Sequence, residues 1–401
     1  MTAGSDPGTS RHRGQTPVTR RIKVAIIATF LTAACGGAPQ QVSESGQGAY
    51  EASLTPIGNG YAVAWHDIRD GQSEIYLRQL DGSGEPAGPE RRLTNDPALS
   101  YEANIQAAGE NLAVSWYDKD TDGKLQARVG LFSPDGQGRW SHALSSTGRN
   151  SRNPVVRVRG REIFVAWIED VEPQQSEVMA GWWDLEGKPL SPPRALGPAS
   201  PTTWNVNAVV EPNGSAWVVF DARTGTRSDE IFMARAGKTS SEIVRLTGDD
   251  GVPSKYPDVA LGGTRAALTW YDERDGNQEV YLSVAPIHQL SDQSARRVTN
   301  TAGHSIGAYA AWSGQRLGLA WSDDSAGQHE IYFQPFGANG APLDDPTRLT
   351  DNPTSSLIPS IQPAGNGFAL AWNEYETAPQ PDANPTAQPA GKSEIAFTSV
   401  D

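Results

Sequence analysis

The densest group of potential metal ligands is Asp118-Lys-Asp120-Thr-Asp122-Gly123, three carboxylates on alternate residues followed by a turn glycine. A hard cation such as calcium needs several oxygens converging on one point, and this spacing supplies three from one short loop. In a twelve-residue calcium loop begun at Asp118, position nine falls on Gln126 and the closing position on Val129, so both later carboxylates are missing. The same residues also suit a polar hairpin turn. The expectation is a chain with no cofactor, calcium at Asp118, Asp120 and Asp122 being the one candidate. A second set, Asp67/Arg69, Asp221/Arg223 and Asp272/Arg274, places an arginine two residues after an acid, where it could take a substrate carboxylate. Because the pairs recur, they read instead as local stabilisers, each acid accepting turn amides and holding its own arginine.

Other catalytic chemistry has little support. His12, His66, His142, His288, His304 and His329 form no ligand-spaced pair, and there is no Gly-x-Ser-x-Gly elbow. Sialidases carry Asp-box turns, and the nearest approach here, Ser133-Pro-Asp-Gly-Gln-Gly-Arg-Trp140, has its second glycine one place late. A glycosidase also needs two positioned carboxylates, which an acid-rich sequence neither shows nor excludes. No catalytic residue is assigned.

The elements that must position any site come from a repeat. A short strand ending in an aromatic recurs at Tyr61–Trp65, Leu112–Trp116, Phe164–Trp167, Trp217–Phe220, Ala267–Trp270, Leu317–Trp321 and Phe368–Trp372, with spacings near fifty-one. An acid follows within two residues each time: Asp67, Asp118, Glu169, Asp221, Asp272, Asp323 and Glu374. A turn and a second strand come next, as in Glu74–Arg78, then a segment like Arg92-Leu-Thr94, and a fourth strand precedes each aromatic one. Four strands per copy is one propeller blade. The fold class is therefore all-β, a seven-bladed β-propeller of four-stranded antiparallel blades. An aromatic present once per blade is explained by packing between blades rather than by a ligand cage.

The last copy stops after Glu394–Phe397 and lacks its Arg-Leu-Thr strand. Gln41-Val-Ser-Glu44 stands fifty-one residues before Arg92-Leu-Thr-Asn95, so an N-terminal strand is predicted to complete the seventh blade and close the ring. The propeller then spans 41–401. Two insertions stand out, Val171–Gln175 in blade three and the Pro-rich Ala378–Pro389 in blade seven, the latter read as a disordered hairpin tip.

Before the propeller, Arg20, Arg21 and Lys23 precede the apolar run Val24–Ala34, which reads as a signal peptide over 1–34. Leu31-Thr-Ala-Ala-Cys35 resembles a lipobox, in which cleavage precedes the cysteine and its thiol carries lipid. Cys35 is the only cysteine in 401 residues, so no intrachain disulfide can form. The resemblance implies lipidation at Cys35, a linker over 35–40, and a membrane tie by lipid anchor alone. Gly36 and Gly37 lack the acid that retains enteric lipoproteins at the inner membrane, so the expected location is the cell envelope at the outer membrane. Without residues 1–34 the chain carries 28 basic and 46 acidic side chains, a net −18 that repels nucleic acid.

Asp70-Gly-x-x-Glu-Ile-Tyr-x-x-x-Leu-Asp-Gly82 followed by Arg92-Leu-Thr-Asn-Asp96 resembles the repeat of TolB-like (WD40-like) propellers over nearly all of the mature part. The resemblance implies a periplasmic binding scaffold that works with a peptidoglycan-associated lipoprotein. The chain departs from it in having seven repeats, no room for an N-terminal α/β domain, and no Ser-Pro-Asp-Gly turn before the Trp strands.

Residues that serve the ring recur in every copy, and residues that serve a ligand need not. Loops entering the innermost strands are expected to meet at the mouth of the central channel, carrying Tyr50, Glu51, Tyr101, Glu102, Arg152, Asn153, Trp204, Asn205, Tyr256, Asp258 and His304. Aromatic faces among carboxylates and amides suit a protein or peptide partner, or a glycan. The reading is a monomeric, protein- or peptide-binding envelope lipoprotein, with a lectin-like propeller or a sialidase-like glycoside-active enzyme as alternatives.

Overall fold

The computed structural model of the chain describes residues 38–145, 148–201, 203–237, 241–377 and 391–401. Residues 1–34, expected to be a signal peptide, Cys35 and the Pro-rich segment 378–389 lie outside the described residues. Seven four-stranded antiparallel sheets follow one another along the chain, each running from an innermost to an outermost strand. In blade one these are Ala49–Ile57, Gly60–Asp67, Glu74–Leu80 and Arg91–Arg92. Each innermost strand packs against those of its two neighbours, and Ser355–Ala364 of blade seven closes on Ala49–Ile57. Apart from two short 3-10 turns in blade five, Ile287–Gln289 and Asp292–Ser294, the described elements are strands. No helix among the described residues is long and apolar enough to cross a membrane.

Each aromatic-ended strand lies second in its blade, covered on both faces by other blades. It is therefore apolar almost throughout rather than alternating. The core is divided into interfaces between successive blades. Trp65 packs with Ala369, Ala371, Ile395 and Phe397 of blade seven, Trp270 with Val219, Ile231 and Met233 of blade four, and Trp372 with Ile331 and Phe333 of blade six. Trp65, Trp167, Trp270 and Trp372 are wholly buried. Stacking on the next strand, as in Trp65 on Tyr76 and Trp270 on Tyr281, adds about 0.5–1.5 kcal/mol per ring pair beyond burial.

The ring closes as the register predicts, with a shorter strand. Gln40–Gln41 pairs with Ser393–Val400 through Gln40↔Phe397 and Gln41↔Ala396. Val42 continues the contact by donating its N–H to Ile395 O at 2.7 Å, and its side chain is fully buried. One polar pattern is shared by the outermost strands of blades one, four, five and six and by the clasp. In blade one Ile75 N–H donates to Thr94 Oγ1 and Thr94 Oγ1 to Glu74, while Arg92 pairs with Glu74. At the clasp Ile395 N–H donates to Ser43 Oγ at 2.8 Å and Ser43 Oγ to Glu394 at 2.5 Å. Ser43 thus stands where Thr94 does, as the fifty-one-residue offset requires.

The insertion 171–175 in blade three lengthens a hairpin, the strands Glu162–Glu172 and Gln175–Asp184 meeting at Gln174 with φ 61°.

Candidate functional site

The channel mouth is built by one irregularity repeated round the ring. In blades one, two, three, five, six and seven the innermost strand slips register near its start, for example between Tyr50 and Ser53. Each bulge puts one residue in the left-handed region: Glu51 (φ 58°), Glu102 (51°), Asn153 (49°), Tyr256 (55°), Gly307 (61°) and Ile358 (56°). Gly307 suits that conformation without cost, whereas five side-chain-bearing residues hold it against the usual preference. A bulge turns one residue's N–H and side chain out of the ladder. Here it aims unlike side chains at the rim.

Three of the freed N–H groups are caught by the preceding blade, at the residue just after its Trp. His66 Nδ1 accepts from Glu102 N at 3.4 Å, Ser322 Oγ from Ile358 N at 3.2 Å, and Asn373 Oδ1 from Glu51 N at 3.0 Å. In blade four this position is Asp221. Its pairing opposite Ile231 matches that of His66 opposite Ile75, and Ala222 takes the place of Asp67. The acid that seems to recur in all seven copies is therefore one residue early in blade four, and so faces the other way. Asp221 accepts from Trp204 N and Asn205 N at 3.0 Å, from Asn205 Nδ2 at 2.8 Å, and from Tyr256 N at 3.3 Å.

This corrects the expected Asp221/Arg223 pair: Arg223 lies 3.4 Å from Asp229 instead. The other two pairs form, Arg69 with Asp67 at 2.5 Å and Arg274 with Asp272 at 2.6 Å. Each of those acids also takes an indole N–H, from Trp65 at 3.0 Å and Trp270 at 3.1 Å. Phe220 has no such proton to offer.

The eleven expected mouth residues do not share one environment. Most belong to the innermost strands rather than to loops, because the bulge keeps the chain paired on both sides of it; Trp204, Asn205 and His304 precede their strands. Tyr50 and Tyr101 are 2% and 5% exposed, packed edge and face around His66 with ring centroids 5.2 and 5.3 Å away. Trp204 and Tyr256 keep 44% and 46% of their surface. Trp204 lies over the Arg152 guanidinium at 5.2 Å, which pairs with Asp170 at 2.6 Å, and Tyr256 stacks on Tyr271 at 5.4 Å. Asn153 Nδ2 donates to Trp204 O at 2.8 Å. His304 is exposed, its N–H bound to Asp324 at 2.6 Å.

Below the bulges lies a polar belt. Asn104 accepts from Val156 N at 3.1 Å, Asp258 from Ala310 N at 2.8 Å, and Ser360 from Leu54 N at 3.1 Å, stitching neighbouring blades together. Blade three has apolar Val155 at this level, and Arg157 spans the gap, donating to Asn104, Asn207, Val156 O and Ala208 O. Burial pushes the Asp258 carboxyl up to about 6.

Around Glu51 and Glu102 burial dominates. It raises Glu102 to about 7, opposed by the Tyr117 hydroxyl and by Arg152, and raises Glu51 well above the usual carboxylate range, helped by the charge of Glu102. Burial lowers His66 to about 3 and keeps its ring neutral.

The three aspartates of the calcium-like loop have separate tasks. Asp118 accepts from Ser100 Oγ and Trp116 Nε1 at 2.8 Å. Asp120 accepts the N–H groups of Asp122 and Lys124 as a turn cap at 2.9 and 2.8 Å, and the Asp122 side chain is exposed. Among the described residues no group of three or more His, Cys, Asp or Glu could hold a metal ion.

His66, Tyr117, Asp221 and Tyr375 belong to the mouth although sequence reasoning missed them. For His66, Tyr117 and Asp221 the signal was their place directly after the aromatic of the repeat; Tyr375 stands three places after Trp372 and carried no such signal.

No known protein family and no curated protein matches the chain. Among solved structures it is similar to a puromycin-hydrolysing peptidase of Mycobacterium tuberculosis, with 11% identity and a TM-score of 0.52, over 85% of this chain and 53% of that one. It also resembles a structure from a study of two prolyl endopeptidases, with 18% identity and a TM-score of 0.49, over 83% and 46%. A third, a subtype N10 neuraminidase-like protein from a bat isolate, has 8% identity and a TM-score of 0.46, over 90% and 97%. The chain spans about half the length of the two peptidase structures. At these identities the likeness is one of fold.

Proposed function

We propose that the propeller is a binding scaffold that takes a protein or peptide partner at the channel mouth, as a TolB-like envelope lipoprotein anchored through Cys35 at the outer membrane. The observation that carries this reading is the divergence of the bulge positions. A ring that needs only closure would repeat one residue there, yet the bulges carry two acids, an amide, an exposed tyrosine, a glycine and an isoleucine, with the exposed Trp204 of blade four on the same rim. Rigid aromatics beside polar groups are what interface anchors are made of. The scaffold acts as a monomer, without catalytic residues and without nucleic acid. The exposed Trp204 and Tyr256, with the Asn153 amide bound to Trp204 O beside them, also favour a second reading, a glycan whose sugar faces stack on the two rings.

Pull-down from envelope extracts with the wild type, Trp204→Ala and Tyr256→Ala tests the site. Both rings are nearly half exposed, so each variant should keep its melting temperature while losing at least ten-fold in captured partner. Undiminished capture by both would place the site elsewhere. A glycan array separates the second reading from the first.

A further inference from the structure

The buried acids of this molecule are held by arginines or by hydrogen-bond donors, as Asp221 and Asp258 are by backbone amides. Asp67, Glu74, Asp272, Glu279 and Glu330 are buried and each has an arginine against it. Glu51 and Glu102, at equivalent bulges of neighbouring blades, have none. Among the described residues the Glu102 side chain receives only a long bond from the Tyr117 hydroxyl, 3.4 Å, and the nearby Arg152 is engaged by Asp170. Glu51 Oε2 lies 3.6 Å from His66 Nδ1, but that nitrogen already accepts the Glu102 N–H and, on a neutral ring, has no proton to give. Glu51 Oε2 is covered yet has no hydrogen-bond partner, although 30% of the side chain stays open. The hydroxyl of Tyr50, on a residue almost wholly buried, is unpartnered as well.

Buried carboxylate oxygens are normally satisfied, and one left open at a rim asks for a donor from outside. Burial raises the pKa of Tyr117, Tyr256 and Tyr309, and the charges of Glu51 and Glu102 add to it in each. Carboxylates ringed by aromatic faces attract cations by charge and by the ring quadrupole together.

We propose that the mouth receives the cationic side chain of a lysine or arginine from the partner between Glu51 and Glu102, with the partner's adjoining apolar residue lying on Trp204 and Tyr256. The inference rests on the mouth reading above and deepens it by naming the chemistry recognised.

The test uses the full chain and an immobilised library of N-acetylated, C-amidated hexapeptides, with lysine, arginine, norleucine or glutamate fixed at one position in a random background. Wild type should retain the lysine and arginine sets at least ten-fold more than the norleucine set. In Glu51→Gln/Glu102→Gln, which keeps side-chain shape, that preference should fall to within two-fold while norleucine retention is unchanged. Wild type alone supplies a second reading should the double variant fold poorly: preference for lysine over norleucine should grow as pH rises from about 6 to 8. The groups facing the pair that bear on this titration are His66, Tyr50, Tyr117, Arg152, Tyr256, Tyr309 and Tyr375. Equal retention of lysine and norleucine, a preference that survives both substitutions in a folded double variant, or a flat pH profile overturns the inference. If Trp204→Ala abolishes retention of every set while no cationic preference exists, the mouth reading stands and the cation pocket falls. If wild type retains none of the sets, or no substitution changes any retention, both fall.

Discussion

Blades four and five are neighbours with the same four strands, and they use their acids in opposite ways. In blade five Asp272 gathers the Trp270 indole N–H, the Ser254 hydroxyl and the Arg274 guanidinium, closing the turn of its own blade. In blade four the acid sits one residue earlier, the Trp has become Phe220, and Asp221 reaches the backbone of Trp204, Asn205 and Tyr256. Because strand side chains alternate, a shift of one residue moves a carboxylate from the frame to the site. Blade four keeps its outer Glu230–Thr247 contact at 2.7 Å and its apolar interface with blade three. The frame tolerates losing the inner acid where those two supports remain.

The comparison would break most visibly through Asp272. Asp272→Ala leaves a guanidinium and an indole N–H without their acceptor, and should cost about 3 kcal/mol in urea unfolding, as removal of one buried partner does. A loss no greater than for Asp221→Ala would end the distinction. Asp221→Ala itself should cost about 1–2 kcal/mol. Its effect should be local, with faster amide exchange at residues 203–205 and 256 and no change at residues 265–272; uniform acceleration would make Asp221 another frame acid.

Glu102→Gln gives the smallest effect and extends the contrast to the rim. Burial raises the Glu102 carboxyl to about 7 against 4.5 unfolded, so the folded state holds its proton more tightly. That contribution is complete below the unfolded value and is lost as pH rises through about 7. The variant should therefore melt together with wild type near about pH 4.5 and above it near about pH 8, by roughly 1–2 kcal/mol in stability, about half of what about 1.4 kcal/mol per unit gives for the whole shift, because the Glu102 side chain is only half-buried. Parallel curves, or a variant less stable at high pH, would show that Glu102 is paired after all.

The fold was legible because a ring repeats its needs. Trp at fifty-one-residue spacing, the Arg-Leu-Thr segment and the offset of Gln41 from Arg92 specify blade number, strand order and closure, and the sheets follow them. The same regularity misled at blade four. Asp221 within two residues of an aromatic looks like the other six acids, and only the pairing of Phe220 with Phe232 reveals the offset. The mouth was legible as a place but not as an environment. Tyr50 and Trp204 are both aromatics just ahead of the rim position, yet one is covered by His66 and Tyr375 and the other lies open over Arg152. Partners on neighbouring strands and blades decide that difference, and the bulge that sets them is not written in any residue type, since Glu, Asn, Tyr, Gly and Ile all occupy it.

The clasp has a consequence for how the chain may be rearranged. Gln40 and Phe397 are cross-strand partners, so the first and last strands of the ring lie side by side in one sheet. A short linker could join them, and new ends could be opened in any loop between two other blades, as folds with adjacent termini allow. Such circular permutants would keep every blade but convert the seventh into a continuous one. Their relative melting temperatures would then rank the seven junctions by how much each relies on being covalently sewn.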